Sequence, residues 1–162
     1  MLKSILRIGG FMTRKIIRTI DNYPYQIAGR TWHIPHLQIE KSEFGTEVLP
    51  SHEITRMNNF VANEICCTYT ELTGDELDFL CDMTTTKYTE VALKIGLTKS
   101  IVSKWIAKGK EKISLAHSII LKKYFWVKIF GTERLSYLAP ALAFDDEKLF
   151  DYMSKTSITT EI

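Results

Sequence analysis

Residues 86–105 read Thr-Lys-Tyr-Thr-Glu-Val-Ala-Leu-Lys-Ile-Gly-Leu-Thr-Lys-Ser-Ile-Val-Ser-Lys-Trp. Within this stretch, Val91, Ala92 and Ile95 recur at a spacing that gathers them on one helical face. Gly96 follows directly, and glycine is the residue that most readily takes the left-handed backbone that ends a helix. The stretch therefore predicts a short helix that ends in a sharp turn.

A second helix is predicted to begin near Lys99. Thr98 is a suitable N-cap, because its hydroxyl can accept a hydrogen bond from a backbone amide of the first turn. Apolar residues then repeat at helical spacing on the buried side as far as Trp105. Two helices joined in this way predict a helix-turn-helix unit, which indicates DNA binding, and the alternative is a solvated helical hairpin. The outward side chains are short hydroxyls and long cations suited to phosphates and base edges, namely Lys99, Ser100, Ser103 and Lys104.

The motif residues resemble those of phage-repressor-like or Cro-like (xenobiotic-response-element type) helix-turn-helix regulators. The matching stretches are Val91-Ala92, Gly96-Leu97-Thr98 and Val102-Ser103-Lys104-Trp105. Upstream, residues 72–80 are similar to the entry helix of antitoxins whose DNA-binding half resembles that of the motility-quorum-sensing antitoxin. The resemblance spans about residues 23–125 and implies a mainly α fold. The expected architecture is a lambda-repressor-like helix-turn-helix bundle of about five helices with a small N-terminal extended or β-hairpin segment.

The chain departs from the family pattern at three positions. Tyr88 stands where a glutamine usually contacts a phosphate, and its hydroxyl can still donate one hydrogen bond. Ile106 stands where an acidic residue usually follows the tryptophan, and the turn at 107–110 is one residue longer than usual. Cys81 stands where the entry helix usually has a basic residue. We therefore expect a divergent regulator rather than a typical one.

Positive charge is concentrated on the predicted motif. Residues 86–123 hold nine lysines against two glutamates, whereas residues 32–85 hold ten acidic and two basic side chains. Lysines at this motif can neutralise phosphates, so binding is expected to weaken as the salt concentration rises. A merely solvated lysine-rich face explains the charge but not its coincidence with the motif. The predicted DNA-binding residues are Tyr88, Thr98, Lys99, Ser100, Ser103, Lys104, Lys108 and Lys110.

Four segments are predicted along the 162 residues. They are a basic N-terminal arm (1–20), a small segment of short strands and a helix (21–70), the helix-turn-helix domain (71–131) and an appendage with a short helix and a tail (132–162). Met12 is an alternative start. An apolar content of 45% argues against global disorder. The sequence has neither the roughly 18 uninterrupted apolar residues of a membrane span nor a cleavable signal, so we expect a cytoplasmic protein without membrane contact.

The sequence offers little for metal or covalent chemistry. An adjacent pair at Cys66–Cys67 and a single Cys81 provide no Cys-x-x-Cys pair for zinc. His33, His36 and His52 have no acidic partner at a defined spacing, so surface or packing roles are expected. A phosphate-binding glycine loop, a nucleophile elbow and a zinc-protease helix are all missing from the sequence. We expect no cofactor, no metal and no enzymatic activity.

These observations favour a sequence-specific transcriptional regulator that binds double-stranded operator DNA as a homodimer. Its second motif helix, about 99–107, would read the major groove. An alternative is an antitoxin of a type II toxin-antitoxin pair, in which the helix around 54–65 or the N-terminal arm seals a toxin and DNA binding serves autoregulation. A weaker alternative is a protein-interaction adaptor that has lost DNA binding. The sequence leaves open whether such a regulator is a repressor or an activator.

Overall fold

The computed structural model describes residues 16–42 and 44–131. The chain divides into two compact units. The first holds the residues up to Gln26 together with Thr31–Phe60, and the second holds Ile27–Arg30 together with the chain from Val61 onward. Most of the predicted N-terminal arm and the whole predicted appendage at 132–162, with its short helix, lie outside the described residues.

The predicted mainly α fold is wrong. Helices hold 52% of the described residues, but strands hold 21% and form two antiparallel sheets. A lambda-repressor-like bundle with one small hairpin does not accommodate this strand-rich N-terminal half. The architecture is α+β, with five helices and five strands in the described part of the chain.

The strands precede all the helices along the chain. The first and fourth strands are antiparallel, with Ile16 opposite Lys41 and Ile20 opposite Leu37. The fourth strand also pairs with the fifth, and the second pairs with the third in a separate two-stranded sheet. The strands are β1 (Ile16–Ile20), β2 (Tyr23–Ile27), β3 (Arg30–Ile34), β4 (Leu37–Lys41) and β5 (Glu47–Val48).

A two-residue turn connects β2 to β3. Ala28 and Gly29 have φ values of +53° and +74°, and positive φ at both central residues is what the commonest tight hairpin turn requires. His36, in the turn between β3 and β4, also has a positive φ. Alanine and histidine are uncommon in this conformation, and this is one reason why the sequence understates the strand content.

The helices follow in the second half of the chain. The capping box of the second helix is complete, because the Glu76 backbone N–H donates to the Thr73 hydroxyl and the Thr73 N–H donates to the Glu76 carboxylate. The helices are α1 (Ser51–Cys67), α2 (Gly74–Thr84), α3 (Tyr88–Lys94), α4 (Lys99–Ala107) and α5 (Leu115–Phe130).

A buried ion pair links the start of α1 to the β-strands of the first unit. Glu53 is 4% exposed, and its carboxylate accepts from the Gln38 backbone N–H and from the Arg56 guanidinium. Arg56 also donates to the backbone carbonyls of Pro35 and His36. The hydrogen bond from Arg56 holds the pKa of Glu53 below its usual range. Every polar group of this cluster is therefore paired, as burial requires.

The apolar face of α1 is largely covered. Met57, Val61 and Ile65 are at most 1% exposed, whereas Ile54 is 43% exposed. The antitoxin alternative needs the apolar face of this helix to bind a toxin, but most of that face is already buried within the chain. In the second unit the fully buried apolar side chains come from every helix from α2 to α5, and they include Leu77, Leu80, Val91, Val102, Leu121 and Phe125.

Candidate nucleic-acid interface

α3 and α4 are joined by the turn that the sequence predicts. Gly96 has a φ of +69°, and the Leu97 N–H donates to the Ala92 carbonyl at 2.9 Å, which closes the end of α3. Val102 fixes the inner side of α4 and is fully buried. Both helices and the glycine turn of the predicted motif are confirmed as local structure.

Thr98 occupies the predicted N-cap position of α4. Its backbone is extended, with φ −92° and ψ 153°, as an N-cap requires. The predicted capping bond from its hydroxyl is not formed, however. Because the residue is exposed, the hydroxyl is accessible to a ligand.

The start of α2 lies directly against the end of α4. A Cβ atom at Gly74 would lie 2.0 Å from the Trp105 carbonyl oxygen, so only glycine allows this approach. The Asp75 N–H donates to the Gly109 carbonyl at 2.9 Å, and the Gly74 N–H donates to the Glu111 carbonyl at 3.3 Å. Gly74 thus positions α4, a role that the sequence does not reveal because the two segments are about thirty residues apart.

An aromatic contact connects α4 to α5. The Trp105 and His117 rings are 5.4 Å apart between centroids, and the two planes are tilted by 53°. His117 Nδ1 lies 2.6 Å from the Ser114 hydroxyl. Burial lowers the pKa of His117, which favours the neutral ring at neutral pH. With contacts from α2 and α5, the inner side of α4 is held by two other helices.

The outward side of α4 carries the predicted groove-reading residues. Lys99, Ser100 and Lys104 are exposed, and Ser103 is half-buried. Among the described residues, no carboxylate forms an ion pair with Lys99, Lys104 or Lys110. These three cations are therefore available to an anionic partner without breaking an ion pair.

Other lysines of the motif region are already engaged. Lys108 pairs with Glu111 at 2.6 Å and Lys112 pairs with Glu71 at 3.2 Å. Lys122 is 2% exposed, and its ammonium donates to the carbonyls of two threonines at 2.6 and 2.7 Å. An exposed ion pair contributes only about 0–1 kcal/mol to stability, so the Lys108 ammonium can leave Glu111 and bind a phosphate at small cost. Lys122 is buried and cannot reach a phosphate. Fewer lysines are therefore accessible to a phosphate than the nine counted in residues 86–123.

Tyr88 has a partner that the sequence does not predict. Its hydroxyl donates to the Asp78 carboxylate at 2.6 Å, and this hydrogen bond raises the pKa of Tyr88 to about 12. A phosphate would have to compete with Asp78 for the same proton. Tyr88 therefore lies at the start of α3, but its hydroxyl hydrogen is already bonded to a carboxylate of α2.

Ala107 also belongs to the outward face of α4, although it is not among the DNA-binding residues predicted from the sequence. It is exposed and lies seven residues, about two helical turns, after Ser100. The helical spacing alone is the signal that identifies it. Its small side chain leaves room for close approach to this part of α4.

The described residues give no structural sign of a metal site or a membrane span. No group of three or more His, Cys, Asp or Glu side chains within them is placed to hold a metal ion. None of their helices has the length and apolar character needed to cross a bilayer. Burial raises the pKa of the Cys66 and Cys81 thiols to about 12, so both are protonated at neutral pH.

Comparison of the chain with models of protein families, with curated proteins and with solved structures gives no match. The α3–α4 surface, with its geometry and chemistry, is therefore the basis on which a function can be proposed.

Proposed function

We propose that this chain is a sequence-specific DNA-binding transcriptional regulator in which α4 enters the major groove. The observation that carries the proposal is the outward face of α4, where exposed Lys99 and Lys104 lack described carboxylate partners beside Ser100 and Ser103. The proposal places this helix-turn-helix within an α+β chain.

The dimensions of α4 suit a groove. The helix has nine residues and is therefore about 14 Å long. A helix with its side chains is about 10–12 Å wide, and the major groove of B-DNA is about 12 Å wide. Because its inner side is held by Val102 and Trp105, α4 can insert as a rigid element.

Homodimerisation is part of the proposal. Helix-turn-helix proteins commonly read two half-sites about 34–36 Å apart, with one recognition helix for each. We expect two chains on one operator, and sedimentation of the complex measures this directly. A complex with one chain per specific site would contradict the dimer while leaving DNA binding intact.

The double variant Lys99→Ala/Lys104→Ala tests the proposal. Both side chains are exposed and make no described ion pair, so the fold should keep its melting temperature while specific operator binding is lost. Lys41→Ala on β4 is the control, since it removes an exposed lysine that belongs to the other unit of the chain. Unchanged affinity of the double variant for the cognate promoter would refute the proposed DNA-binding role of α4.

An antitoxin is the second candidate, and it is favoured by apolar side chains exposed in the first unit. Ile16, Ile17 and Val48 are 58%, 60% and 53% exposed, and β1 is an edge of its sheet as described. Edge strands can accept a strand from another chain. Ile17→Lys should then abolish co-purification with the product of an adjacent toxin gene. Failure of the unmodified chain to retain that product would argue against this candidate.

A further inference from the structure

The outward face of α4 has a centre and two margins. Successive residues of an α-helix are about 100° apart around the axis, and the buried side of α4 is marked by Val102 and Trp105. The direction opposite to that side falls between Ala107 and Ser100, about 10° from each. The part of α4 farthest from the core therefore carries small side chains.

The two lysines lie on opposite margins of this face. By the same helical geometry, Lys104 is about 50° to one side of the centre, and Lys99 is about 90° to the other. Ser103 lies between Lys99 and the centre, about 50° from the centre, and is half-buried. The cations therefore flank a strip of short residues instead of occupying it.

A groove imposes different partners on the centre and on the margins. When a helix about 10–12 Å wide fills a groove about 12 Å wide, its central strip faces the base edges and its margins face the two sugar-phosphate walls. Small central side chains permit close approach to the bases, and a serine hydroxyl can donate to or accept from a base edge. Lysines on the margins meet phosphates, which carry charge but no sequence information.

We infer that Ser100, with Ala107 beside it, determines sequence preference, whereas Lys99 and Lys104 contact phosphates on the two opposite walls of the groove. The inference rests on the proposed function and assigns separate roles to the residues of that same surface. The short residues then distinguish one DNA sequence from another, and the lysines supply most of the affinity for DNA. Thymine suits the position facing Ala107, since an alanine methyl packs against the thymine methyl.

The experiment uses the full chain and a fluorescent duplex enriched by that chain from a randomised library. Fluorescence anisotropy gives the Kd for this duplex and for a scrambled one across a range of salt concentrations. Lys99→Ala and Lys104→Ala should each weaken both duplexes by the same factor and reduce the slope of log K against log salt by about 0.9. Lys41→Ala should leave the slope and both affinities unchanged.

Ser100→Ala should have the opposite signature. Its salt slope should match that of the unmodified chain, while the preference for the enriched over the scrambled duplex falls by roughly 2- to 10-fold. Alanine is a better helix former than serine, so circular dichroism should show an unchanged total helical content.

Two results would overturn the division of roles. One is an unchanged preference in Ser100→Ala, and the other is a lysine variant that loses preference at constant salt slope. In both cases DNA binding itself would stand. Absence of salt-sensitive binding by the unmodified chain to any duplex would instead overturn the proposed function, and this inference with it.

Discussion

Gly74→Ala is the substitution that most directly tests how α4 is held in place. The added Cβ would lie 2.0 Å from the Trp105 carbonyl oxygen and 3.0 Å from the Gly109 carbonyl oxygen. Both atoms belong to the backbone, so a side-chain rotation cannot relieve the contact. The start of α2 would have to move away from the end of α4 by about 1.4 Å to reach the 3.4 Å of an ordinary contact.

The expected loss of stability follows from that displacement. The hydrogen bond from Asp75 to Gly109, 2.9 Å long, and the one from Gly74 to Glu111, 3.3 Å long, would both stretch beyond bonding distance. Two lost bonds cost about 1–3 kcal/mol, and residual overpacking costs a further 1–3 kcal/mol or so. Replacing a helical glycine returns about 0.5–1 kcal/mol at most. We expect a net destabilisation of about 3 kcal/mol, a large share of the roughly 5–15 kcal/mol typical of a native protein.

Urea denaturation followed by tryptophan fluorescence measures this change. Gly45→Ala is the matched control, because its Cβ would meet no atom within 4 Å and its φ of +82° limits the cost to backbone strain of about 1 kcal/mol. A Gly74→Ala protein within about 0.5 kcal/mol of the unmodified chain would refute the packing argument, since that change is no larger than for ordinary surface substitutions.

Three further outcomes are expected. Because the pKa of Tyr88 is raised from 10.0 to about 12, its bond to the α2 carboxylate stabilises the fold below pH 10, and this contribution is lost as the pH rises towards 12. Tyr88→Phe should therefore flatten that alkaline decline in urea midpoints, and an unaltered decline would contradict the bond. Ser118→Ala should cost about 1–3 kcal/mol by chemical denaturation, since the buried Ser118 hydroxyl accepts from the Leu72 N–H, and a loss below about 0.5 kcal/mol would count against it. Lys112→Ala should change stability by less than about 1 kcal/mol, because its pair with Glu71 is exposed, and a larger loss would show that this pair is not an ordinary surface one.

The motif was predictable because its determinants are local. Gly96 ends α3 with a positive φ, and α4 runs from Lys99 to Ala107 as the helical spacing indicates. Each of these features depends on residues within two helical turns, which is the range over which backbone preferences act.

The sheets were less predictable because the sequence patterns of their strands and turns are weak. The sequence predicts that residues 16–20 belong to a basic arm, yet these residues form β1. Four of the five are exposed, so the strand shows little of the apolar alternation that marks a half-buried strand. The turn at Ala28–Gly29 has alanine with a positive φ at its first central position, where asparagine, aspartate or glycine usually indicates a hairpin.

Long-range pairings account for the remaining differences at the candidate site. The hydrogen bond from Tyr88 to Asp78 joins residues 10 positions apart in the sequence. The ion pair of Lys112 with Glu71 joins residues 41 positions apart. The tertiary fold brings the members of each pair together, and for Lys112 and Glu71 it does so through the backbone bridge between Thr73 and Lys112. A sequence therefore identifies the cations of the motif but not which of them are already paired.

The measurement that tests the central claim most directly is an anisotropy titration of the purified chain against its own promoter and a scrambled duplex at low and moderate salt. We expect tight binding that prefers the promoter and weakens steeply as the salt concentration rises. Absence of binding at low salt, or equal affinity for both duplexes, would contradict a sequence-specific regulator and favour the adaptor or another protein-binding role.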